Sequence, residues 1–185
     1  MKTVWIRHGQ SEYNAKNLAT GWHDPNLTQL GIEQALNTAS ILGKKYTVID
    51  SIHTSDLRRA AHTANLVLEN TPWFVDIQYD SRLRERDYGD WSGKDKDENR
   101  KSVGDEQFLA IRRGWDIAPP NGESLKDTCR RVADYLDSIP QADLPIIFVC
   151  HGNTIRAASI IFKQNTTESV VNWEIETGGF VEWDY

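Results

Sequence analysis

Two stretches of the chain each end an apolar run on His-Gly and pass into small polar residues: VWIRHGQSEYN at 4–14 and FVCHGNTIR at 148–156. The first supplies Arg7 and His8, the second His151 with Arg156 beyond it, and Arg59 follows soon after another strand-like run. A neutral imidazole can attack phosphorus, and arginine's forked donors match phosphate oxygens. Phosphoryl transfer asks for an in-line nucleophile, cations around the equatorial oxygens and a proton donor for the departing oxygen. These residues therefore predict a histidine that becomes phosphorylated while Arg7, Arg59 and His151 hold the oxygens, with no Mg²⁺ required. His23, His53 and His62 lack such junctions and read as surface or capping residues. No HxxxH, HxxE or CxxC pattern offers a ligand set, so no metal site is expected.

The segments that must position these groups alternate in type. VWIR (4–7), VIDSIHTS (48–55), WFVDIQY (73–79), PIIFVC (145–150) and GGFVEWDY (178–185) read as strands. Between them, 30–42 places Ile32, Ala35, Leu36, Ala39 and Leu42 on one helical face behind a cap at Thr28. Leu57, Ala60, Ala61, Ala64 and Leu68 form a similar stripe behind Ser55 or Asp56. Within 122–139, Ser124 and Asp127 stand at capping-box spacing, and a further helix begins near Asn153.

Such alternation predicts an α/β fold, a three-layer α/β/α sandwich around a mostly parallel sheet, with ligands beyond the carboxyl ends of the strands. His8, Arg59 and His151 all fall at or just past such ends. A helix opening directly after each His-Gly would add unpaired N–H groups and the positive end of its dipole. The stretch between Leu83 and Asn121 breaks the rhythm, being long, charged and glycine-containing. It predicts a partly helical excursion at about 84–121 over the active site of a single domain spanning 1–185.

With 185 residues, 39% hydrophobic and 26% charged, the composition suits one folded domain. A net charge of -6 argues against nucleic acid or an acidic membrane as the main partner. There is no apolar run of signal-peptide or bilayer-spanning length, and Cys129 and Cys150 make no disulfide framework. A cytoplasmic protein with two packing thiols is expected.

RHGQSEYN, TGWHDPNLTQLG, HTSDLRRAAHT, LRERDYGDWSGKDK, RRGWDIAPP, GESLKDT and CHGNTIRA occur in that order over nearly the whole chain. Together they resemble the cofactor-dependent phosphoglycerate mutase branch of the histidine phosphatase superfamily. The resemblance implies a metal-independent enzyme of glycolysis and gluconeogenesis that interconverts 3- and 2-phosphoglycerate, a small phosphorylated substrate. Its phosphohistidine would be primed by 2,3-bisphosphoglycerate. By that resemblance His8 is the nucleophile, Arg7, Arg59 and His151 form the phosphate pocket, and Glu85 is the general acid and base. Asn14, Thr20, Gly21, Tyr88, Lys96, Arg112, Arg113, Gly152 and Asn153 match positions that bind the phosphoglycerate or complete the pocket. Lys94, Arg100 and Lys101, in the same charge run as Lys96, read as a solvated helix face. The seven tryptophans read as core and lid packing.

Two departures from the pattern qualify what it implies. PPNGESLKDT runs straight through where longer mutases carry an extra segment, which predicts a monomer or weak homodimer. Their tail beyond the last strand has no counterpart before Tyr185, which predicts isomerisation with more leakage to free phosphate. Two other functions share these residues: a phosphomonoester hydrolase of the same superfamily, and a non-catalytic module that binds a phosphorylated ligand.

Overall fold

The structure, a computed structural model, describes residues Met1–Asp184; the terminal Tyr185, included in the last expected strand, lies outside them. Strands β1 (Lys2–Arg7), β2 (Ser51–Thr54), β3 (Ile77–Tyr79), β4 (Ile146–Cys150) and β5 (Phe180–Asp184) form one sheet in the order β3-β2-β4-β1-β5. The first four are mutually parallel and β5 lies antiparallel on β1. The helices are α1 (Glu12–Ala15), α2 (Gln29–Lys45), α3 (Arg58–Glu69), α4 (Lys96–Val103), α5 (Asp105–Arg113), α6 (Leu125–Leu136) and α7 (Gly152–Ile161).

Alternation along the strands divides the core into two layers. Val4, Ile6, Ile147 and Val149 pack with Ala39 and Leu42 of α2 and Ala64 and Val67 of α3. On the opposite face Trp5, Phe148 and Cys150 pack with Val132 and Leu136 of α6 and Ile155 and Ala158 of α7. Trp5 and Phe148 stack with ring centroids 4.1 Å apart. The result is the expected three-layer sandwich. Cys129 and Cys150 are both free and buried in it, and burial pushes the Cys129 thiol up to about 11.

Several boundaries and faces differ from expectation. β2 and β3 are shorter than the apolar runs that contain them: Trp73 is buried outside any strand while Phe74 is 99% exposed. In α2 the buried stripe is Gly31, Ala35, Thr38, Ala39 and Leu42, which leaves Leu36 exposed. In α3 it includes Arg59 and Thr63, because that face meets the site as well as the sheet. Neither Ser55 nor Asp56 caps α3; Leu57 occupies the cap, Ser55 accepts from the Leu57 N–H, and Asp56 pairs with Arg84. The capping box of Ser124 and Asp127 forms as its spacing predicts. His53 is neither a surface nor a capping residue: it is buried in β2, hydrogen-bonded to the Tyr135 hydroxyl at 2.5 Å and to Ser51 at 2.9 Å.

Register brings the two His-Gly junctions together. Arg7 of β1 is paired with Cys150 of β4, so the next residues, His8 and His151, leave the sheet side by side. From β1 the chain continues towards α2 on one face, and from β4 towards α7 on the other. The divergence opens a crevice at the carboxyl ends of these adjacent strands, the usual ligand position in an open α/β sheet.

Candidate active site

His8 and His151 meet with ring centroids 5.0 Å apart and are 3% and 0% exposed. The His8 backbone N–H donates to the Cys150 carbonyl at 3.0 Å. His8 Nδ1 lies 2.6 Å from the Gly9 carbonyl oxygen, which can only accept, so Nδ1 carries the proton and Nε2 presents its lone pair. Arg59 Nε donates to that nitrogen at 3.3 Å, while Nη1 and Nη2 donate to the carbonyls of His23 and Gly21. Burial, and then the charge of Arg59, keeps both imidazoles well below their usual 6.5 and therefore neutral. Burial also lowers Arg59, to about 10.

Two glycine positions permit this packing. A Cβ on Gly9 would stand 2.1 Å from the Gly31 carbonyl oxygen, so the His8 turn can rest on the start of α2 only without a side chain there. Gly21 has φ +52, and a Cβ would stand 2.5 Å from Ser92 Oγ and 2.9 Å from the Tyr88 nitrogen. Its carbonyl is one of those that hold Arg59.

The dipole arrangement differs from the sequence expectation. No helix opens directly behind His8: α1 starts at Glu12 and has four residues, and the Gly9 N–H donates to Thr63 Oγ1. Behind His151, α7 does open at once, with His151 as its cap. Its free Asn153 N–H is taken by Glu85, whose Oε1 accepts from it at 3.1 Å and from the Arg86 N–H at 2.8 Å. The positive helix end thus receives the carboxylate of Glu85.

Glu85 belongs to an irregular segment held by arginines. Arg131 donates to the carbonyls of Arg82, Arg84 and Glu85 and pairs with Glu123. Fully buried Arg86 donates to the carbonyls of Ile111 and Arg112 at the end of α5. Trp22, 41% exposed at the rim, donates its indole N–H to the Glu85 carbonyl at 2.8 Å. Trp91, Phe108 and Ile111 give the segment its own small core.

A cleft of about 600 Å³ opens beside Arg7, Glu85 and Gly152 and is also lined by Asn14, Thr20, Tyr88, Lys96, Arg112, Arg113 and Asn153. Burial and mutual repulsion lower Lys96 and Arg112, a crowding of cations that an anion would relieve. Lys94, Arg100 and Lys101 stay exposed. His8, His151, Arg59 and Gly21 are not among the residues that line this cleft; they lie buried behind Arg7 and Gly152, with the Gly21 carbonyl accepting from Arg59. Arg156, which flanks the His151 junction in the sequence, stands in the cleft wall, and three further residues of the arrangement carry no sequence signal: Arg86 and Arg131 as clamps, and Glu174, whose carboxylate pairs with Arg113 at 2.6 Å and lies 3.7 Å from Arg7. A charge run and an amphipathic helix carry no signal that distinguishes such residues from solvated ones. Among the described residues no three His, Cys, Asp or Glu side chains gather closely enough to hold a metal ion, and no helix is long and apolar enough to cross a membrane.

Two neutral histidines among arginines in a sheet-rim crevice have the donors and charge that suit an anion such as phosphate. The model of the histidine phosphatase superfamily (branch 1) matches residues 4–185, and the chain belongs to that family. A protein of Nitrobacter winogradskyi named 2,3-bisphosphoglycerate-dependent phosphoglycerate mutase is 43% identical over 95% of this chain and 87% of its own. One of Beijerinckia indica with the same name is 45% identical with the same coverage. Among solved structures, a mycobacterial glucosyl-3-phosphoglycerate phosphatase in complex with VO3 aligns with TM-score 0.85 and 32% identity, covering 98% of this chain and 90% of that one. The alpha-ribazole phosphatase of Shigella flexneri aligns with TM-score 0.84 and 25% identity, covering 100% and 90%.

Proposed function

We propose that this chain is a phosphoglycerate mutase that interconverts 3- and 2-phosphoglycerate through phospho-His8. The observation that carries the proposal is a double set of cations: Arg7 and Arg59 beside the buried histidines, and Lys96, Arg112 and Arg113 on the cleft that Arg7 also lines. A ligand with two anionic groups needs both sets. The names of relatives 41–45% identical support the same activity. A single domain with 84–121 as its cover, a cytoplasmic setting and a monomer or weak dimer complete the proposal; light scattering from a stable tetramer would contradict the last point.

His8 Nε2 would attack phosphorus as Arg59 Nε moves from the ring to a phosphoryl oxygen. The N–P bond forms while the bond from phosphorus to the substrate oxygen breaks, and Glu85 gives its proton to that oxygen. In the second half-reaction the Glu85 carboxylate removes the proton of the hydroxyl that attacks phospho-His8. Arg7, Arg59 and His151 stabilise the charge on the equatorial oxygens, and the burial of both imidazoles keeps water away. When bound, 2,3-bisphosphoglycerate supplies the phosphoryl group that primes His8. The site fits such an anion: Arg7 Nε and both ring nitrogens of His151 are buried without a partner among the described residues. Lys96, Arg112 and Arg113 would hold its far end.

A second activity, hydrolysis of a phosphomonoester, is favoured by Glu174, which adds negative charge where a polyanion would bind, and by the phosphatases among the structural neighbours. Incubation with 3-phosphoglycerate and trace 2,3-bisphosphoglycerate separates the two. The proposal expects 2-phosphoglycerate in excess of free phosphate; free phosphate alone would replace the mutase with the hydrolase.

A further inference from the structure

Arg156 projects from α7 into the wall of the cleft and is 3% exposed. None of its Nε, Nη1 and Nη2 atoms has a hydrogen-bond partner among the described residues. Its cationic neighbours are otherwise engaged: Arg86 donates to two backbone carbonyls, and Arg113 pairs with Glu174. A buried guanidinium with five unsatisfied donors opposes folding unless an acceptor reaches it. Burial, followed by the charge of Arg113, lowers its pKa only to about 10, so it remains a cation at neutral pH.

We propose that Arg156 is a ligand-binding residue whose planar fork takes the carboxylate of the phosphoglycerate, at the end remote from His8. The proposal rests on the function above for its ligand. Of the cations on the cleft, Arg113 and Arg7 already face Glu174; Lys96, Arg112 and Arg156 have no ion pair among the described residues, and of these three only Arg156 is buried with all its donors unpartnered. A carboxylate matches the guanidinium in two parallel hydrogen bonds.

Two probes isolate that contact: 3-phosphoglycerate, and glycerol 3-phosphate, which has the same phosphate and replaces the carboxylate by a hydroxymethyl group. Calorimetric titration of Arg156→Met, without turnover, should show 3-phosphoglycerate weakened about 30-fold, or about 2 kcal/mol, and glycerol 3-phosphate far less. The ligand-free Tm of Arg156→Met should rise, since an uncompensated buried charge is removed, and Arg156→Lys should recover part of the affinity for 3-phosphoglycerate. A purely structural arginine would instead lower the Tm and weaken both probes equally. That result, or unchanged affinity for 3-phosphoglycerate, overturns the proposal. Because binding is read without turnover, an enzyme that releases only phosphate yet needs Arg156 to prefer 3-phosphoglycerate would refute the mutase and leave this inference standing.

Discussion

At the sheet rim, His8 and His151 are placed by backbone pairing: Arg7 is in register with Cys150, and the His8 N–H continues the ladder to the Cys150 carbonyl. In the 84–121 segment, Glu85, Lys96, Arg112 and Arg113 stand on turns and on helices of eight and nine residues. There side chains do the positioning, above all Arg86 and Arg131. The contrast assigns different tasks to the two regions. Under the proposed function the rim would fix the attacking nitrogen and the phosphate oxygens, and the excursion, with Arg156 of α7, would supply the proton and the grip on the rest of the ligand. Substitutions should therefore abolish chemistry in the first region and degrade protonation, positioning or affinity in the second.

The largest effect in the excursion is expected at Glu85. Glu85→Gln preserves the side chain's shape and removes the proton donor, so kcat and the rate of His8 phosphorylation by 2,3-bisphosphoglycerate should both fall by about 10²–10⁴-fold, while phospho-His8 still accumulates on long exposure and is seen by intact mass. No phospho-His8 even after long exposure would place Glu85 with the nucleophile and break the division. Arg131→Met leaves carbonyls of the Glu85 segment without their donor, at a cost of about 1–3 kcal/mol in denaturant unfolding. A drop in kcat with only a small change in KM should accompany it; unchanged kcat would show that the clamp does not position Glu85.

Acid should weaken the rim. His8, His53 and His151 are all held below 6.5 in the fold, and burial is the first cause for each. Below about 6.5 the unfolded chain binds protons that the folded chain refuses, so stability falls as pH drops through that value and rises again as pH is raised. The Tm measured from pH 7.5 to 5 should decline, and less steeply in His151→Gln. A flat Tm across that range would contradict neutral buried histidines. The smallest effect is expected at Glu174, which is about half exposed. Glu174→Gln frees Arg113 and Arg7 and should lower KM for 3-phosphoglycerate by up to about fivefold, a benefit that shrinks as salt is added. An increase in KM would mean that Glu174 orients Arg113 for the ligand.

The same division governs what could be read from the sequence. β1, β4 and the His151 junction were legible because a fully buried parallel strand is a continuous apolar run and its end is marked by His-Gly. The Ser124 cap was legible because capping is local. The limits of β2 and β3 were not, since the exposed Phe74 and the buried Trp73 answer to tertiary surroundings rather than to alternation. Arg59 and Arg156 are legible from their places beyond strand ends, whereas the parts of Arg86, Arg131 and Glu174 depend on which carbonyl or cation lies opposite in space. The burial of His53 is hidden for a related reason: its partner, Tyr135, is 82 residues away.

The central claim is that His8 Nε2 carries the phosphoryl group between donor and acceptor. Intact mass spectrometry after brief exposure to 2,3-bisphosphoglycerate tests it most directly, followed by a chase with 3-phosphoglycerate. The account expects one added phosphate per chain in the wild type, none in His8→Ala, and passage of that phosphate to the phosphoglycerate during the chase. Undiminished phosphorylation of His8→Ala would contradict it.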